Sequence, residues 1–145
     1  MCFEIRSSLP GDLGPALRLD RVAFGPDAWT FLDYAWVFTT GAVKKFTAVA
    51  EGRFAGFAAA ELDNKEGAMC MLTLAVSPEF RRKGIGAALL EECEKAFPDV
   101  PSFLYVDNKN GSAIRLYQRA GYEVKGIHPS YYMNGHDALV MEKNK

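Results

Sequence analysis

Hydrophobic and polar side chains recur along the chain in patterns that predict alternating strands and helices. Residues 3–7 alternate between apolar and polar side chains, as a half-buried strand does. A turn at 9–12 follows, and Asp12 is a suitable cap for the helix after it. The apolar side of that helix consists of Ala16, Leu17, Leu19, Val22, Ala23 and Phe24. A break at 25–27 leads to a second, aromatic-rich helix that is predicted from about Asp27 to Phe38.

Three strands with short connections come next. They are predicted over Phe46–Ala50, Phe54–Leu62 and Met69–Val76, with turns at 51–53 and 63–67. Connections of this length join antiparallel neighbours, so the three strands are expected to form a meander. Such a meander disfavours a Rossmann-type nucleotide binder, whose sheet is mostly parallel.

The second half of the chain alternates between helices and strands. The predicted elements are a helix at 84–97, a strand at 101–107, a helix at 110–120 closed by Gly121, and strands at 122–127 and 138–142. A helical crossover should place the strand at 101–107 parallel to Met69–Val76. We therefore expect one α/β (α+β) domain over 1–145, with a mixed, mostly antiparallel seven-stranded sheet flanked by four helices.

Composition narrows the class of protein. Hydrophobic residues make up 49% and charged residues 24%, which is typical of a globular domain. A net charge of -1 disfavours a general nucleic-acid binder. The three cysteines share no metal-like spacing and are interpreted as reduced thiols of a cytoplasmic protein without a metal centre. No apolar run has the length of a membrane span, so neither a membrane segment nor export is expected.

The segment from Thr73 to Leu90 carries the first chemical signal. An apolar strand ends at Ser77-Pro78, a basic turn follows at 81–83, and two glycines introduce an amphipathic helix. The first turn of a helix has unpaired N–H groups and a partial positive charge, which together favour an anion. Glycines let a ligand approach the backbone closely. The segment has neither a P-loop nor the third glycine of the dinucleotide fingerprint, and a plain basic turn at a helix start is the structural alternative.

Residues 81–87, Arg-Arg-Lys-Gly-Ile-Gly-Ala, resemble the Gln/Arg-x-x-Gly-x-Gly/Ala loop of the Gcn5-related N-acetyltransferase (GNAT) superfamily. The longer run that starts at Leu74, Leu-Ala-Val-x-Pro-x-Phe-Arg-x-Lys-Gly-Ile-Gly, is much more specific than two glycines. The predicted order of elements is also that of the family. The resemblance implies a GNAT fold, with the loop on the pyrophosphate of acetyl-coenzyme A and the preceding strand on its pantetheine arm. The implied coenzyme-binding residues are Leu74, Ala75, Val76, Arg81, Arg82, Lys83, Gly84, Ile85, Gly86, Ala87 and Asn110.

A second motif covers residues 107–122 and is similar to the family's Asn-x-x-Ala-x-x-Leu-Tyr-x-x-x-Gly-Phe/Tyr. By this resemblance Asn110 contacts the pantetheine or holds the helix start, and Tyr117 places its hydroxyl near the coenzyme sulfur. A tyrosine hydroxyl within hydrogen-bond reach can protonate the departing thiolate. The structural alternatives are that Tyr117 is a core aromatic residue and that Asn110 is only an N-cap.

The segment from Tyr131 to Met141 resembles one branch of the family, the enzymes that acetylate ribosomal-protein alanine and other protein N-termini. That branch carries Tyr-Tyr, a short polar stretch, then Asp-Ala and an apolar strand. The resemblance implies that Tyr131 helps to hold a peptide against the segment from Phe24 to Trp29. Glu61 is a further candidate for contact with the acceptor. A cross-strand aromatic pair is the structural alternative for the two tyrosines.

The general base is left open. Tyr105 and Cys70 stand at the two positions where relatives carry a glutamate. A base could act through ordered water from Glu61, Tyr105, His128 or His136, or the amine could arrive already deprotonated.

The sequence thus predicts an acetyl-coenzyme A-dependent N-acetyltransferase that acts by direct transfer. A peptide or protein N-terminus is the expected acceptor, and a small amine such as an amino acid, polyamine or antibiotic is the alternative. A coenzyme-binding module without catalysis is the alternative from another class. The expected assembly is a monomer or homodimer, with no membrane or nucleic-acid partner.

Overall fold

The computed structural model describes residues 2–144, which form seven strands and four helices. The strands are β1 (Phe3–Ser7), β2 (Val43–Ala50), β3 (Arg53–Asp63), β4 (Ala68–Val76), β5 (Ser102–Asp107), β6 (Glu123–His128) and β7 (Ala138–Lys143). The helices are α1 (Leu13–Phe24), α2 (Phe31–Thr39), α3 (Ile85–Lys95) and α4 (Gly111–Arg119). The predicted fold class and order of elements are confirmed. Among residues 2–144, no helix is long and apolar enough to cross a membrane.

All seven strands belong to one sheet in the order β1-β2-β3-β4-β5-β7-β6. The pairs β1–β2, β2–β3 and β3–β4 are antiparallel, whereas β5 lies parallel to β4, as the crossover through α3 requires. Strand β7 inserts between β5 and β6, so that the carboxyl end of β5 meets the start of β7. Because of this pairing, Asp107 at the end of β5 lies next to the loop between β6 and β7.

Each face of the sheet carries its own apolar cluster. On β3, Phe57 and Ala59 pack with α1 and α2, whereas Ala58 and Ala60 face the cluster that contains α3 and Tyr117 of α4. This alternation follows from the two-residue period of a strand. Helices α1 and α2 therefore cover one face, and α3 and α4 cover the other.

Two helix boundaries differ from the sequence prediction. Helix α2 begins at Phe31 instead of near Asp27, because residues 25–27 form a 3-10 turn and Thr30 caps the helix in a reciprocal hydrogen-bonded box with Asp33. Helix α3 ends at Lys95, two residues before the predicted end. The Phe97 N–H donates to Glu94 O, a 3-10 pattern that tightens the last turn ahead of Pro98.

Strands β4 and β5 separate soon after they meet. Only Met69 with Ser102 and Cys70 with Phe103 are paired between them among the described residues. Beyond these pairs, β4 continues to Val76 while paired to β3 alone. Leu72 is skipped in the register with β3, which marks a bulge on β4 at the point of separation. The resulting opening in the sheet is the position of the candidate site.

Candidate active site

A cavity of about 840 Å³ occupies the opening between β4 and β5. Its walls come from both separated strands, from the segment between α1 and α2, from the start of α4 and from the loop between β6 and β7. We call β4 residues 74–76, the loop 81–84 and the first turn of α3 the donor end. We call segment 24–29, loop 129–137, Tyr105 and Asp107 the acceptor end.

The donor end combines a left-handed backbone with the start of a helix. Gly84 is the N-terminal flanking residue of α3 and has φ +86°, a conformation that other residues adopt only with strain. A side chain at Gly86 would lie 3.3 Å from Leu116 and 3.8 Å from Leu74, so this glycine permits close packing of α3 against α4 and β4. Ile85 is buried in the core, which leaves its backbone N–H as the group available to a ligand.

The donor end is strongly basic and open to solvent. The side chains of Arg81, Arg82 and Lys83 are all exposed. Arg81 bends back so that its Nε donates to the Val76 carbonyl at 3.1 Å, which ties the loop to the end of β4. A positive helix terminus beside three cations suits a diphosphate, and the open space around Gly84 leaves room for one. The chemistry of this end therefore fits the pyrophosphate of coenzyme A.

Tyr117 lies in the middle of the cavity wall and is only 8% exposed. Its ring packs edge-on against Tyr122 at 5.9 Å between centroids. Within residues 2–144 its hydroxyl makes no hydrogen bond, whereas the Tyr122 hydroxyl donates to Glu94 at 2.8 Å. Burial raises the pKa of Tyr117 far above its ordinary value. The hydroxyl therefore stays protonated near neutral pH and can act as a proton donor.

Asn110 has a structural role and a place at the cavity. Its Oδ1 accepts from the Ala113 N–H at 3.2 Å, which caps α4. The same residue lines the cavity. Both interpretations made from the sequence are therefore compatible with its position.

The two walls of the acceptor end touch each other. The Met133 N–H donates to Asp27 Oδ1 at 3.0 Å, which joins the β6–β7 loop to the segment between α1 and α2. Phe24 and Trp29 line the cavity from one side and Tyr131 from the other. Tyr131 stacks on Tyr105, with 5.3 Å between ring centroids and 13° between planes. The structure thus brings these four aromatic residues to one cavity.

A buried carboxylate, Asp20 of α1, holds the first of these walls in place. It is 2% exposed, and its Oδ2 accepts from the Trp29 N–H at 2.6 Å. The hydroxyls of Tyr34 and Thr73 also hydrogen-bond to it, which links α1 to α2 and β4. Burial raises the pKa of Asp20 in spite of these hydrogen bonds. Nothing local in the sequence distinguishes Asp20 from an exposed helix aspartate, so its role is evident only from the fold.

Asp107 and His136 form a close pair at the acceptor end. His136 Nδ1 lies 2.9 Å from Asp107 Oδ2 and 3.0 Å from Oδ1. The carboxylate also accepts from the Lys109 N–H at 2.8 Å and from Asn134 Nδ2 at 3.2 Å. Burial alone would raise the pKa of Asp107, but these hydrogen bonds together lower it. Asp107 is therefore an anion near neutral pH.

Glu61 is not in the main cavity. It lines a smaller pocket of about 240 Å³ with Asp33, Trp36, Val37 and the two residues that also line the main cavity, Trp29 and Leu72. The structure therefore separates Glu61 from Tyr131 and Phe24, although the two cavities adjoin through Trp29.

The chain matches the family model described as Acetyltransferase (GNAT) family over residues 13–122. The chain belongs to the GNAT family. This result confirms the family predicted from the two motifs. The GNAT chain is accordingly an acetyltransferase, with acetyl-coenzyme A as its cosubstrate.

Three similar proteins show how far the likeness extends. An uncharacterised N-acetyltransferase of Methanocaldococcus jannaschii is 35% identical over 69% of this GNAT chain, which spans 65% of that protein's length. An N-alpha-acetyltransferase of Sulfurisphaera tokodaii is 25% identical over 96% of the chain and 91% of its own length. The crystal structure of the Escherichia coli ribosomal-protein-S18-alanine N-acetyltransferase superposes with a TM-score of 0.83, at 27% identity, over 99% of this chain and 94% of that one.

Proposed function

We propose that this GNAT enzyme transfers the acetyl group of acetyl-coenzyme A to the α-amino group of a peptide or protein N-terminus. The observation that carries the proposal is one continuous cavity, which reaches Leu74 at the donor end and both walls of the acceptor end. Two of the similar proteins are named for acetylation of protein N-termini. The groove between two aromatic walls suits an extended peptide end with its amine directed towards Tyr117.

In this proposal the donor end binds the coenzyme. The N–H groups of the first turn of α3, residues 85–87, bind the pyrophosphate, and Arg81, Arg82 and Lys83 neutralise its charge. Gly84 leaves the approach open. The edge of β4 at 74–76, which β5 leaves unpaired, hydrogen-bonds to the pantetheine amides, and Asn110 contacts the same arm from α4.

Tyr117 is the proposed catalytic acid. Its ring is buried in the cavity wall, and its hydroxyl is protonated and makes no hydrogen bond within the described part of the chain. The leaving sulfur takes a proton from this hydroxyl as the bond from sulfur to the acetyl carbon breaks. Positioned proton transfer of this kind contributes about 10²–10⁴ in rate.

The acceptor is held by the walls of the acceptor end. Phe24, Trp29 and Tyr131 contact the first residue of the peptide and its backbone in this proposal. The smaller pocket beyond Trp29 has room for a neighbouring side chain. Glu61 and Asp33 make that pocket acidic, so a cationic side chain fits it best.

Release of coenzyme A from acetyl-coenzyme A, measured against a panel of peptides and a panel of small amines, tests the proposed function. The expected result is turnover with peptides that have a free α-amine and none with the same peptides blocked at that amine. If polyamines, amino acids or aminoglycosides are acetylated and no peptide is, the acceptor is a small amine and not a peptide. Tight coenzyme binding without turnover on either panel would make the protein a binding module.

A further inference from the structure

Several groups that line the cavity are protonated near neutral pH. Burial raises the pKa of Tyr132 to about 12 and that of Cys70 to about 11. Burial is also the largest cause of the raised pKa of Tyr105. These groups and Tyr117 therefore keep their protons near neutral pH. Protonated side chains, Tyr105 and Cys70, thus stand at both positions where relatives carry a glutamate.

Three aspartates line the cavity, and all three are already engaged. Asp27 Oδ1 accepts from the Met133 N–H at 3.0 Å. Asp20 is buried and accepts hydrogen bonds from Trp29, Tyr34 and Thr73. Asp107 accepts from Lys109, Asn134 and His136. Their lone pairs therefore serve the structure of the walls. The proton acceptor must be sought in a group that these carboxylates orient.

His136 is that group. Its ring lines the cavity, and its Nδ1 faces both oxygens of Asp107. An ionised carboxylate can only accept, so the proton of the neutral imidazole must be on Nδ1. The lone pair is then on Nε2, and no described residue in 2–144 donates to it. A carboxylate that fixes the tautomer of a histidine in this way prepares the opposite nitrogen to accept a proton.

The backbone of the loop holds the ring in this place. The His136 N–H donates to Asn134 Oδ1 at 2.8 Å, and the Tyr132 N–H donates to the His136 carbonyl at 3.2 Å. Asn134 also donates to Asp107, so one side chain connects the histidine backbone to its carboxylate partner. The dyad is therefore built into the turn at 132–135.

We propose that His136 is the general base of the acetyl transfer and that Asp107 is its positioning residue. The inference rests on the proposed function. His136 Nε2 accepts the proton that the amine loses as its nitrogen forms the bond to the acetyl carbon. Tyr117 donates a proton to the sulfur as the carbon–sulfur bond breaks. His136 then releases its proton to water and Tyr117 regains one, so the net reaction yields the amide and the free thiol.

The other histidine provides a matched control. His128 is exposed on β6, packs its ring edge against Tyr131, and is not part of the cavity wall. We therefore compare His136→Ala, His136→Gln and His128→Gln on a peptide that the wild-type enzyme acetylates. The expected result is a loss of about 10²–10⁴ in kcat for both His136 variants, with unchanged affinity for acetyl-coenzyme A. His128→Gln should keep nearly full kcat.

Rescue by free imidazole separates catalysis from structure. The side chain of His136 is 38% exposed, so imidazole can reach the space that His136→Ala leaves. The activity of the His136→Ala enzyme should rise with the concentration of neutral imidazole, and a purely structural role of His136 would give no such dependence.

The variant Asp107→Asn tests the positioning residue. It should lower kcat while leaving the KM for acetyl-coenzyme A unchanged. The control variant Glu142→Gln, on the exposed part of β7, should change neither kcat nor this KM.

The pH profile gives a second readout. The dependence of kcat on pH should differ between the wild type and His136→Gln, whereas the profiles of the wild type and His128→Gln should coincide. The titratable groups that line the cavity near this end, together with His136, are Tyr105, Asp107 and Lys109 from the β5 side, Tyr131 and Tyr132 from its own loop, and Asp27 from the segment between α1 and α2.

Two outcomes would overturn the dyad. One is a His136→Gln enzyme that keeps most of the wild-type kcat. The other is a His136→Ala enzyme that binds acetyl-coenzyme A, lacks turnover and gains nothing from imidazole. Failure of the wild type to acetylate any peptide would instead overturn the proposed function, so the two failures are distinguishable.

Discussion

The donor end and the acceptor end of the cavity are built on different principles. At the donor end, most of the proposed contacts to the coenzyme come from one continuous segment, from β4 to α3, through backbone groups, glycines and three cations. At the acceptor end, the contacts join residues far apart in the chain, such as Asp27 with Met133 and Asp107 with His136. A backbone-built site tolerates changes of exposed side chains, whereas a site built from side-chain pairs can change specificity through one substitution. Variants at the two ends should therefore separate effects on coenzyme affinity from effects on turnover and on the acceptor.

The largest effect is expected at the donor end from Gly84→Glu. A carboxylate at this position would repel the pyrophosphate and fill the open space beside the start of α3. We expect no measurable binding of acetyl-coenzyme A by calorimetry, with a folded circular dichroism spectrum. Gly84→Ala is the control, since its φ of +86° strains both variants similarly but alanine adds no charge. If the wild type and Gly84→Glu bind acetyl-coenzyme A with equal affinity, the coenzyme does not bind at this loop.

Between the two ends, Tyr117→Phe should lower kcat by about 10²–10⁴ and leave coenzyme affinity nearly unchanged. Because the Tyr117 hydroxyl makes no hydrogen bond within residues 2–144, its loss should not lower the melting temperature. Tyr122→Phe is the matched control, because it removes a hydroxyl that donates to Glu94. That variant should lose about 1–2 kcal/mol of stability and keep its turnover. If Tyr117→Phe instead loses stability and keeps its turnover, Tyr117 is a core residue and not the catalytic acid.

At the acceptor end, Tyr131→Ala should raise the KM for the peptide by about three- to tenfold through loss of an aromatic contact. The KM for acetyl-coenzyme A should stay within error. Tyr131→Phe keeps the ring stacked on Tyr105 and should behave nearly as the wild type does. Steady-state kinetics with each substrate varied in turn checks this. An equal rise in both KM values would indicate a disturbed fold instead of a peptide contact.

The smallest effect is expected in the pocket beyond Trp29. Glu61→Gln should reduce the preference for lysine over norleucine at the second peptide position by about two- to fivefold, the size of an exposed ion pair. Glu66→Gln lies in the exposed turn between β3 and β4 and should change nothing. Competition between the two peptides, read by mass spectrometry, measures the ratio. If the preference for lysine over norleucine is the same in Glu61→Gln as in the wild type, Glu61 does not contact the acceptor.

The difference between the two ends also explains what could be predicted from the sequence. The strands and helices follow from short-range periodicity and short connections, and the donor end lies within one contiguous segment that matches a family motif. The late start of α2 could also have been predicted, because Thr30 and Asp33 stand at the spacing of a capping box. Local patterns carry this information.

The pairing of Asp107 with His136 is of another kind. It requires that β7 lie between β5 and β6, so that Asp107 stands opposite Ala138 and near the residues just before it. Nothing local to either residue indicates this neighbour, although His136 was among the possible bases. The same applies to Asp20, whose partners Trp29, Tyr34 and Thr73 lie on three different elements. Such contacts depend on the tertiary arrangement.

The separation of β4 from β5 has a consequence for how the protein resists unfolding. The four strands before the opening and the three after it share only two paired positions across the described sheet. A coenzyme that fills the opening and hydrogen-bonds to the free edge of β4, as proposed above, binds only the folded chain. At a concentration of 100 times its Kd, such a ligand adds about 2.7 kcal/mol to the free energy of unfolding. Amide protons along β4 and β5 should therefore exchange with solvent deuterium quickly in the free protein and slowly when the coenzyme is bound, while those of β2 and β3 change little.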